Sequence, residues 1–216
     1  MSAAALNHGL YAVTDTQLLP DDRIVEAVEA ALTGGAALIQ YRDKSSTDTQ
    51  RHTIAASLRD CCRNHGRPLI INDDPQLARR VGADGVHLGD DDVPLAEARR
   101  LLGPEALIGR SCHGSLTAAE AAASQGASYL AFGRFFSSQT KAGAPGAEPS
   151  VLAQAAPLGL PRVAIGGITV DNAPELIDAG ADLVAVVHGL FSAKDIEARA
   201  REFSCLFHQR SSGEHP

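Results

Sequence analysis

A repeating alternation of short apolar runs with amphipathic segments is the feature that most limits how this chain can fold. Eight apolar runs, each short enough for a buried strand, lie at residues 10–14, 37–41, 68–72, 85–88, 107–111, 129–135, 162–168 and 183–190. Helical segments follow them at residues 21–34, 49–64, 75–81, 95–102, 116–124, 151–156, 173–179 and 194–207. The near-continuous apolarity of the runs indicates parallel strands that are covered on both faces.

Eight strands that alternate with eight helices, without a linker, predict one domain over residues 1–216, a single (β/α)8 TIM barrel. A doubly wound open sheet is the alternative, and periodicity alone does not exclude it. No Gly-x-Gly-x-x-Gly pattern follows the first run, which argues against dinucleotide binding. Several helices end in a Gly-Ala pair, such as Gly82-Ala83, where glycine can take the left-handed cap. Residues from about 211 to 216 are predicted to be disordered.

Composition and charge narrow the classes of partner. The chain is 44% hydrophobic but only 4% aromatic, with no Trp, so its core must be aliphatic. A net charge of −7 argues against nucleic acid and against an anionic membrane surface, since both need a basic face. The four cysteines show no metal-ligand spacing, which favours reduced thiols and a cytoplasmic protein. Small molecules remain as partners, and a homo-oligomer is left open.

Polar residues collect where the apolar runs end. They lie at residues 40–44, 72–74, 90–92, 111–113 and 137–141. The carboxyl ends of the strands form one rim of a barrel, and in barrel enzymes that rim carries the chemistry. We therefore expect the active site there.

The lysines indicate an anionic ligand at this rim. Among 19 basic residues, the lysines are Lys44, Lys141 and Lys194. Lys44 and Lys141 directly follow strands, and an ammonium group suits a phosphate as a point charge. Chance, or a salt bridge on the rim, is the alternative.

Two acidic clusters, residues 73–74 and 90–92, end neighbouring runs. Carboxylates so close together repel each other unless a cation neutralises them, and Mg²⁺ takes one or two carboxylates beside waters and substrate phosphates. Helix capping is the alternative for one acid in each cluster, because Asp74 precedes Pro75 and Asp92 lies just before Pro94.

Single features mark further candidate residues. The Gly166-Gly167 pair could let a phosphate approach the backbone, or could be a tight turn. His113 and His188 fall on the rim, whereas His87 could equally be a satisfied core histidine. Cys112 could be a nucleophile, although a buried filler is the more common role of such a residue.

Taken together, these motifs resemble the thiamine phosphate synthase family over residues 10–192. The resemblance is carried by the residues at 40–44, 71–74, 85–92, 140–141 and 165–169, in that order. It implies a transferase that joins a hydroxymethylpyrimidine diphosphate to a thiazole phosphate and releases diphosphate, with Mg²⁺ as cofactor. The resemblance also selects Asp73 over Asp74, and Asp92 over its two acidic neighbours, as metal ligands.

The resemblance further assigns the substrate contacts. Those implied on the pyrimidine diphosphate side are Gln40, Arg42, Lys44, Asn72, Ser111 and Lys141, of which Lys44, Ser111 and Lys141 would act in catalysis. Those implied on the thiazole phosphate side are Ser138, Thr140, Gly167, Val187 and His188. Asp43 and Gln139 are implied as further substrate contacts, without assignment to either side.

The chain departs from the common family pattern at Ser138 and His188, and Arg134 is an unexpected charge. Two rival functions resemble the same barrel: a thiazole tautomerase with His113 as its acid or base, and a non-catalytic regulator that binds thiamine phosphate.

Overall fold

Eight parallel strands close into one barrel, in chain order, in the computed structural model, which describes residues 6, 8–136 and 146–211. The strands are β1 (Gly9–Val13), β2 (Leu38–Tyr41), β3 (Leu69–Asn72), β4 (Gly85–Leu88), β5 (Leu107–His113), β6 (Tyr129–Gly133), β7 (Arg162–Ile165) and β8 (Leu183–Val186). Closure is made by β1 and β8, which pair from Gly9 opposite Leu183 to Ala12 opposite Val186. The prediction of a barrel is confirmed, and the open-sheet alternative is wrong.

Helices follow the strands and cover the outside of the barrel. They are α1 (Ile24–Thr33), α2 (Asp48–Asn64), α3 (Pro75–Val81), α4 (Leu95–Leu102), α5 (Leu116–Ser124), α6 (Ser150–Gln154), α7 (Ala173–Asp178), α8 (His188–Phe191) and α9 (Ile196–Ser211). The predicted left-handed cap is present at Gly82, which ends α3 with φ 67° and whose N–H donates to the Ala78 and Arg79 carbonyls. Within the described ranges, no helix is long and apolar enough to cross a membrane.

The last three strands are shorter than their apolar runs predict. β6 ends at Gly133, β7 at Ile165 and β8 at Val186. After β7 the chain turns at Gly166, whose φ is 106°, and after β8 it enters the short helix α8. Apolar composition alone does not distinguish a strand from the buried turn that follows it. At the other end of the chain, α9 extends to Ser211, the first residue of the predicted tail; residues 212–216 lie outside the described part.

Side chains alternate between two apolar layers along each strand. In β1, Leu10 and Ala12 pack outward against the helices, whereas Tyr11 and Val13 pack inside the barrel. The interior layer is completed by residues from the other strands, including Leu38, Ile70, Leu107, Tyr129, Val163 and Leu183. This interior is a packed core, so a ligand can reach the barrel only at its mouth.

Three Gly-Ala turns have a common function at the base of the barrel. The polar residue after each Gly-Ala pair accepts a hydrogen bond from the backbone of the preceding strand. Asp84 accepts from the Leu69 N–H (2.9 Å), Ser128 from the Ile108 N–H (3.0 Å) and Asp182 from the Arg162 N–H (2.8 Å). These bonds tie β3 to β4, β5 to β6 and β7 to β8, at the end remote from the predicted site.

Candidate active site

The loops after β2, β3 and β4 bring Lys44, Asp73 and Asp92 together. The Lys44 Nζ lies 3.2 Å from Asp73 Oδ2, and the carboxyl groups of Asp73 and Asp92 are within hydrogen-bonding reach. Lys44 and Asp73 also line a groove of about 490 Å³, together with Asn72. Three residues predicted from separate loops therefore form one cluster with an ammonium and two carboxyl groups.

Asp73 and Asp74 perform different tasks although they are adjacent. Asp74 caps α3, because its Oδ1 accepts from the Leu77 N–H at 2.8 Å, and its Oδ2 accepts from Arg51 at 3.1 Å. Asp73 makes no cap and takes a left-handed conformation with φ 63°, which non-glycine residues rarely adopt. Such strain is concentrated at functional sites. The capping alternative thus holds for Asp74 and leaves Asp73 for the cluster.

In the second acidic cluster, the capping alternative is wrong. Helix α4 begins after Pro94 and has no side-chain cap. The Asp92 Oδ2 instead accepts from the Gly89 N–H at 2.6 Å. Asp90 has other partners, since it pairs with Arg110 at 3.2 Å and with the ring of His113 at 3.0 Å. Asp92 is therefore the acid of this cluster that reaches Asp73.

The surroundings of Asp92 disfavour the negative charge of its carboxyl group. Burial raises the pKa of Asp92, and the neighbouring Asp73 carboxyl raises it further, against the opposing effects of the Gly89 N–H and Lys44. In the ranges described, no group of three or more His, Cys, Asp or Glu side chains is placed to hold a metal. A pair of carboxylates is nevertheless the donor set that Mg²⁺ uses when waters and phosphate oxygens complete its coordination.

Asp43 holds the loop that carries Lys44. Its Oδ1 accepts from the N–H groups of Ser45 (2.9 Å) and Ser46 (3.0 Å), and its Oδ2 accepts from the Tyr41 hydroxyl (2.9 Å). Both carboxylate oxygens are thus engaged within the loop. This gives Asp43 a structural task, and a direct contact between Asp43 and substrate stays a prediction.

Arg42 is oriented by a residue that was not predicted for the site. Its Nη1 lies 3.6 Å from Asp15 Oδ2, and its backbone N–H donates to Thr14 Oγ1 at 3.0 Å. Asp15 is buried at the end of β1 and also accepts from the Gln17 N–H at 2.9 Å. The signal was present in the sequence, since a charged residue that directly follows a barrel strand needs a partner.

Gln40 in β2 and Ser111 in β5 are joined by hydrogen bonds through the barrel interior. Three intermediate residues make the connection: Tyr11, Tyr129 and His87. The tyrosines were not predicted for the site, although a hydroxyl inside an aliphatic strand is a signal for a buried polar contact. For His87, both ring nitrogens have hydrogen-bond partners.

The predicted thiazole side of the site is described in part. Gly167, with φ 65°, lies in the turn after β7, and the Asn172 side chain donates to its carbonyl at 3.1 Å. Val187 and His188 follow β8, where Val187 packs against the barrel interior and His188 begins α8. The predicted contacts at Ser138, Gln139, Thr140 and Lys141 lie outside the described residues.

Residues 134–136, which follow β6, lie beside the Gly166-Gly167 turn. The Phe136 N–H donates to the Gly166 carbonyl at 3.0 Å, and the Ala147 N–H donates to the Arg134 carbonyl at 2.8 Å. Phe136, before the range 137–145, is therefore held at the turn after β7, near the predicted thiazole phosphate site, and Ala147, beyond the range, is held against the segment that follows β6.

Fold and site together define a (β/α)8 barrel whose rim gathers an ammonium group and two carboxyl groups. A family model described as thiamine monophosphate synthase matches residues 10–190. A thiamine-phosphate synthase from Marinobacter nauticus is 59% identical over 201 residues, which cover 92% of this chain and 90% of that protein. A thiamine-phosphate synthase from Alcanivorax borkumensis is 52% identical over 209 residues, 95% of this chain and 96% of that protein.

A solved structure agrees with these sequence matches. The thiamine phosphate pyrophosphorylase from Pyrococcus furiosus is 34% identical, has a TM-score of 0.85, and is matched over 93% of this chain and 96% of its own. The chain belongs to the thiamine monophosphate synthase family. The resemblance inferred from five short motifs is confirmed, and with it a transferase of thiamine biosynthesis that acts on small molecules.

Proposed function

We propose that this chain joins 4-amino-2-methyl-5-hydroxymethylpyrimidine diphosphate to 4-methyl-5-hydroxyethylthiazole phosphate, giving thiamine phosphate and diphosphate. If the carboxylated form of the thiazole is used, its carboxyl group leaves as CO₂ in addition. The observation that carries the proposal is the cluster of Lys44, Asp73 and Asp92 at the rim of a barrel of this family. Its charges match a diphosphate together with a divalent cation.

The roles of the individual residues follow from their chemistry. Asp73 and Asp92 hold Mg²⁺, which when bound neutralises charge on the diphosphate oxygens. Lys44 and Lys141 bind the diphosphate as cations, and Arg42 adds a guanidinium that Asp15 keeps in place. Gln40, Asn72 and Ser111 supply neutral hydrogen bonds. Ser138, Gln139, Thr140, Gly167, Val187 and His188 bind the thiazole phosphate.

The reaction breaks one bond and makes one. The C–O bond between the pyrimidine methylene and the diphosphate cleaves, and both electrons leave with the diphosphate. The aminopyrimidine ring stabilises the positive charge on the methylene carbon. The thiazole nitrogen then donates its lone pair to that carbon and becomes the quaternary nitrogen of the product. No proton has to move at this step, so the site needs no general base.

The chain's contribution is electrostatic and positional. The Lys44 and Lys141 ammonium groups stabilise the developing charge on the departing diphosphate, an effect for which one lost donor costs about 10²- to 10³-fold in related electrostatic sites. Holding the thiazole against the methylene carbon replaces a bimolecular encounter with a positioned one. The packed barrel interior excludes water from below the site.

A turnover experiment tests the proposal. The purified chain is incubated with both substrates, with each alone, and with both in EDTA, and diphosphate and thiamine phosphate are measured. We expect equimolar products only with both substrates and Mg²⁺. Diphosphate release that does not require the thiazole would indicate a hydrolase, and no thiamine phosphate under any condition would refute the proposal. Cytoplasmic location and a homo-oligomer stay predictions.

A further inference from the structure

A continuous chain of hydrogen bonds crosses the inside of the barrel and joins two predicted substrate contacts. Gln40 Nε2 lies 2.6 Å from the Tyr11 hydroxyl, which lies 2.8 Å from the Tyr129 hydroxyl. The Tyr129 hydroxyl is 3.1 Å from His87 Nδ1, and His87 Nε2 is 3.0 Å from Ser111 Oγ. The five residues come from five different strands, β2, β1, β6, β4 and β5.

Both tyrosines are neutral members of this chain. Tyr11 and Tyr129 are 1% and 0% exposed, and burial raises the pKa of each hydroxyl far above its ordinary value. Each therefore has one proton to donate and lone pairs to accept with. A neutral imidazole likewise donates from one ring nitrogen and accepts at the other.

Each intermediate residue has one proton to donate within the hydrogen-bond chain, so all the hydrogen bonds must run in the same direction. Each of Tyr11, Tyr129 and His87 has a neighbour on both sides, so each donates to one and accepts from the other. If Gln40 donates to Tyr11, then Tyr11 donates to Tyr129 and Tyr129 donates to His87 Nδ1. The His87 proton is then on Nε2 and is donated to Ser111.

The direction decides what the two ends offer to a ligand. With Gln40 Nε2 donating into the chain, as the structure places it, the Gln40 Oε1 is left as an acceptor at the barrel mouth. Ser111 Oγ accepts from His87, so its own proton is left to be donated outward. In the opposite direction, Ser111 would donate to His87 and could only accept from a ligand.

We propose that Tyr11, Tyr129 and His87 are positioning residues that fix the Ser111 hydroxyl as a hydrogen-bond donor to an anionic oxygen of the bound diphosphate, and the Gln40 amide oxygen as an acceptor. The inference rests on the proposed site, in which Gln40 and Ser111 contact the pyrimidine diphosphate. A diphosphate oxygen requires donors, which agrees with the direction that the Gln40 amide sets.

One glycine leaves the space that a tyrosine of this hydrogen-bond chain occupies. Gly109 lies opposite Tyr129 in the β5–β6 pairing, and a Cβ at that position would overlap the phenol ring of Tyr129. The ring also packs edge-on against Tyr11, with centroids 5.9 Å apart, and stacks on His87 at 5.6 Å. The phenol group is therefore held where its hydroxyl meets both partners.

The tautomer of His87 tests the direction without any substrate. Two-dimensional ¹H–¹⁵N spectra of the histidine side chains, assigned through the His87 backbone, distinguish protonation at Nε2 from protonation at Nδ1. At pH 8 we expect one neutral tautomer with the proton on Nε2. A proton on Nδ1, or a doubly protonated ring, would overturn the proposal. Because this measurement requires no turnover, it is independent of whether the proposed reaction occurs.

A double-mutant cycle tests the action through Ser111. We expect Tyr129→Phe to lower kcat/KM about fivefold to tenfold, the value of roughly one hydrogen bond, and to leave the melting temperature within a few degrees. In a Ser111→Ala background the same change should cost less than twofold, since no hydroxyl remains to be oriented. Tyr41→Phe is the matched control, because Tyr41 is another buried strand tyrosine whose hydroxyl donates to Asp43 instead.

The factor by which Tyr41→Phe lowers kcat/KM should multiply with the factor for Ser111→Ala, because Tyr41 is not part of the hydrogen-bond chain. If the kcat/KM losses of Tyr129→Phe and Ser111→Ala also multiply fully in the double variant, the effect of Tyr129 is merely structural and the proposal is wrong. If Tyr129→Phe does not fold, the wild-type His87 tautomer still decides the question. Absence of synthase activity in the wild type as well as in every variant, with the Nε2 tautomer intact, would refute the proposed function and leave the hydrogen-bond chain unaffected.

Discussion

Replacing Asp43 with Asn tests whether one buried carboxylate holds the loop that presents Lys44. Asp43 is 8% exposed, and its two oxygens accept from the Ser45 and Ser46 N–H groups and from the Tyr41 hydroxyl. Asn keeps the size of the side chain but loses the charge and replaces one acceptor oxygen with an NH₂ donor. At least one of the hydrogen bonds that Asp43 accepts must therefore be lost or reversed.

The expected cost follows from the number and kind of these bonds. A hydrogen bond to a charged group contributes about 1.5–3 kcal/mol, so we expect Asp43→Asn to lower the free energy of unfolding by about 2 kcal/mol. We also expect kcat/KM to fall about tenfold, less than the loss expected for removing an electrostatic donor outright, because Lys44 is displaced rather than deleted. Asp48→Asn is the control, since Asp48 is exposed and its contact with Arg51 is long, at 3.6 Å.

The pH dependence gives a second check. Burial alone would raise the pKa of Asp43, but hydrogen bonds from Ser45, Ser46 and Tyr41 outweigh it and lower the pKa from 3.8 to about 2. The folded-state pKa is below the unfolded one, so the carboxylate stabilises the fold fully above about pH 4, and this contribution falls as the pH drops towards 2. Urea unfolding at pH 5 and pH 8 should give the same difference between wild type and variant. If wild type and Asp43→Asn had the same free energy of unfolding, or if their difference became smaller between pH 8 and pH 5, this account would be refuted.

Two further changes test the fold away from the metal cluster. Gly109→Ala should lower the free energy of unfolding, measured in urea, by about 1–3 kcal/mol, because the new Cβ overlaps the Tyr129 ring. Gly114→Ala is the control: a Cβ there meets nothing closer than 3.5 Å, so the free energy of unfolding should not change. Asp182→Ala should lower the unfolding free energy by about 2 kcal/mol, because it removes hydrogen bonds to the Arg162 backbone (2.8 Å) and guanidinium (2.9 Å). Asp182 is at the base of the barrel, away from the proposed active-site rim, so the kcat/KM of the Asp182→Ala variant should equal that of wild type. An altered kcat/KM in the folded variant would contradict this separation of the base from the rim.

The barrel and part of its rim could be predicted because both depend on local patterns. Apolar runs alternate with helical segments whatever the details of packing, and residues that follow parallel strands must meet at one end of the barrel. The choice of Asp73 over Asp74 came from the family resemblance, and the structure supplies its physical reason, since Asp74 caps α3 and Asp73 does not.

The hydrogen-bond chain could not be predicted because it depends on contacts across the closed barrel. Tyr11 and Tyr129 are 118 residues apart, and only the strand order and register bring their hydroxyls together. The predicted ends of β7 and β8 were wrong for a related reason. Ile168 beyond β7 and Leu190 in α8 are buried without belonging to a strand, and apolar composition does not distinguish such residues from strand residues.

The central claim is that Asp73, and not its neighbour Asp74, belongs to a metal-dependent site for the pyrimidine diphosphate. The most direct measurement is the Mg²⁺ dependence of diphosphate release by Asp73→Asn and Asp74→Asn, with melting temperatures recorded for both. Asn suits both positions, because it tolerates the left-handed conformation of residue 73 and caps a helix as well as Asp does. We expect Asp73→Asn to lose about 100-fold or more in Mg²⁺-dependent kcat/KM without loss of fold, and Asp74→Asn to stay within about threefold of wild type. Near-normal turnover by Asp73→Asn, or equal losses in the two variants, would contradict the account.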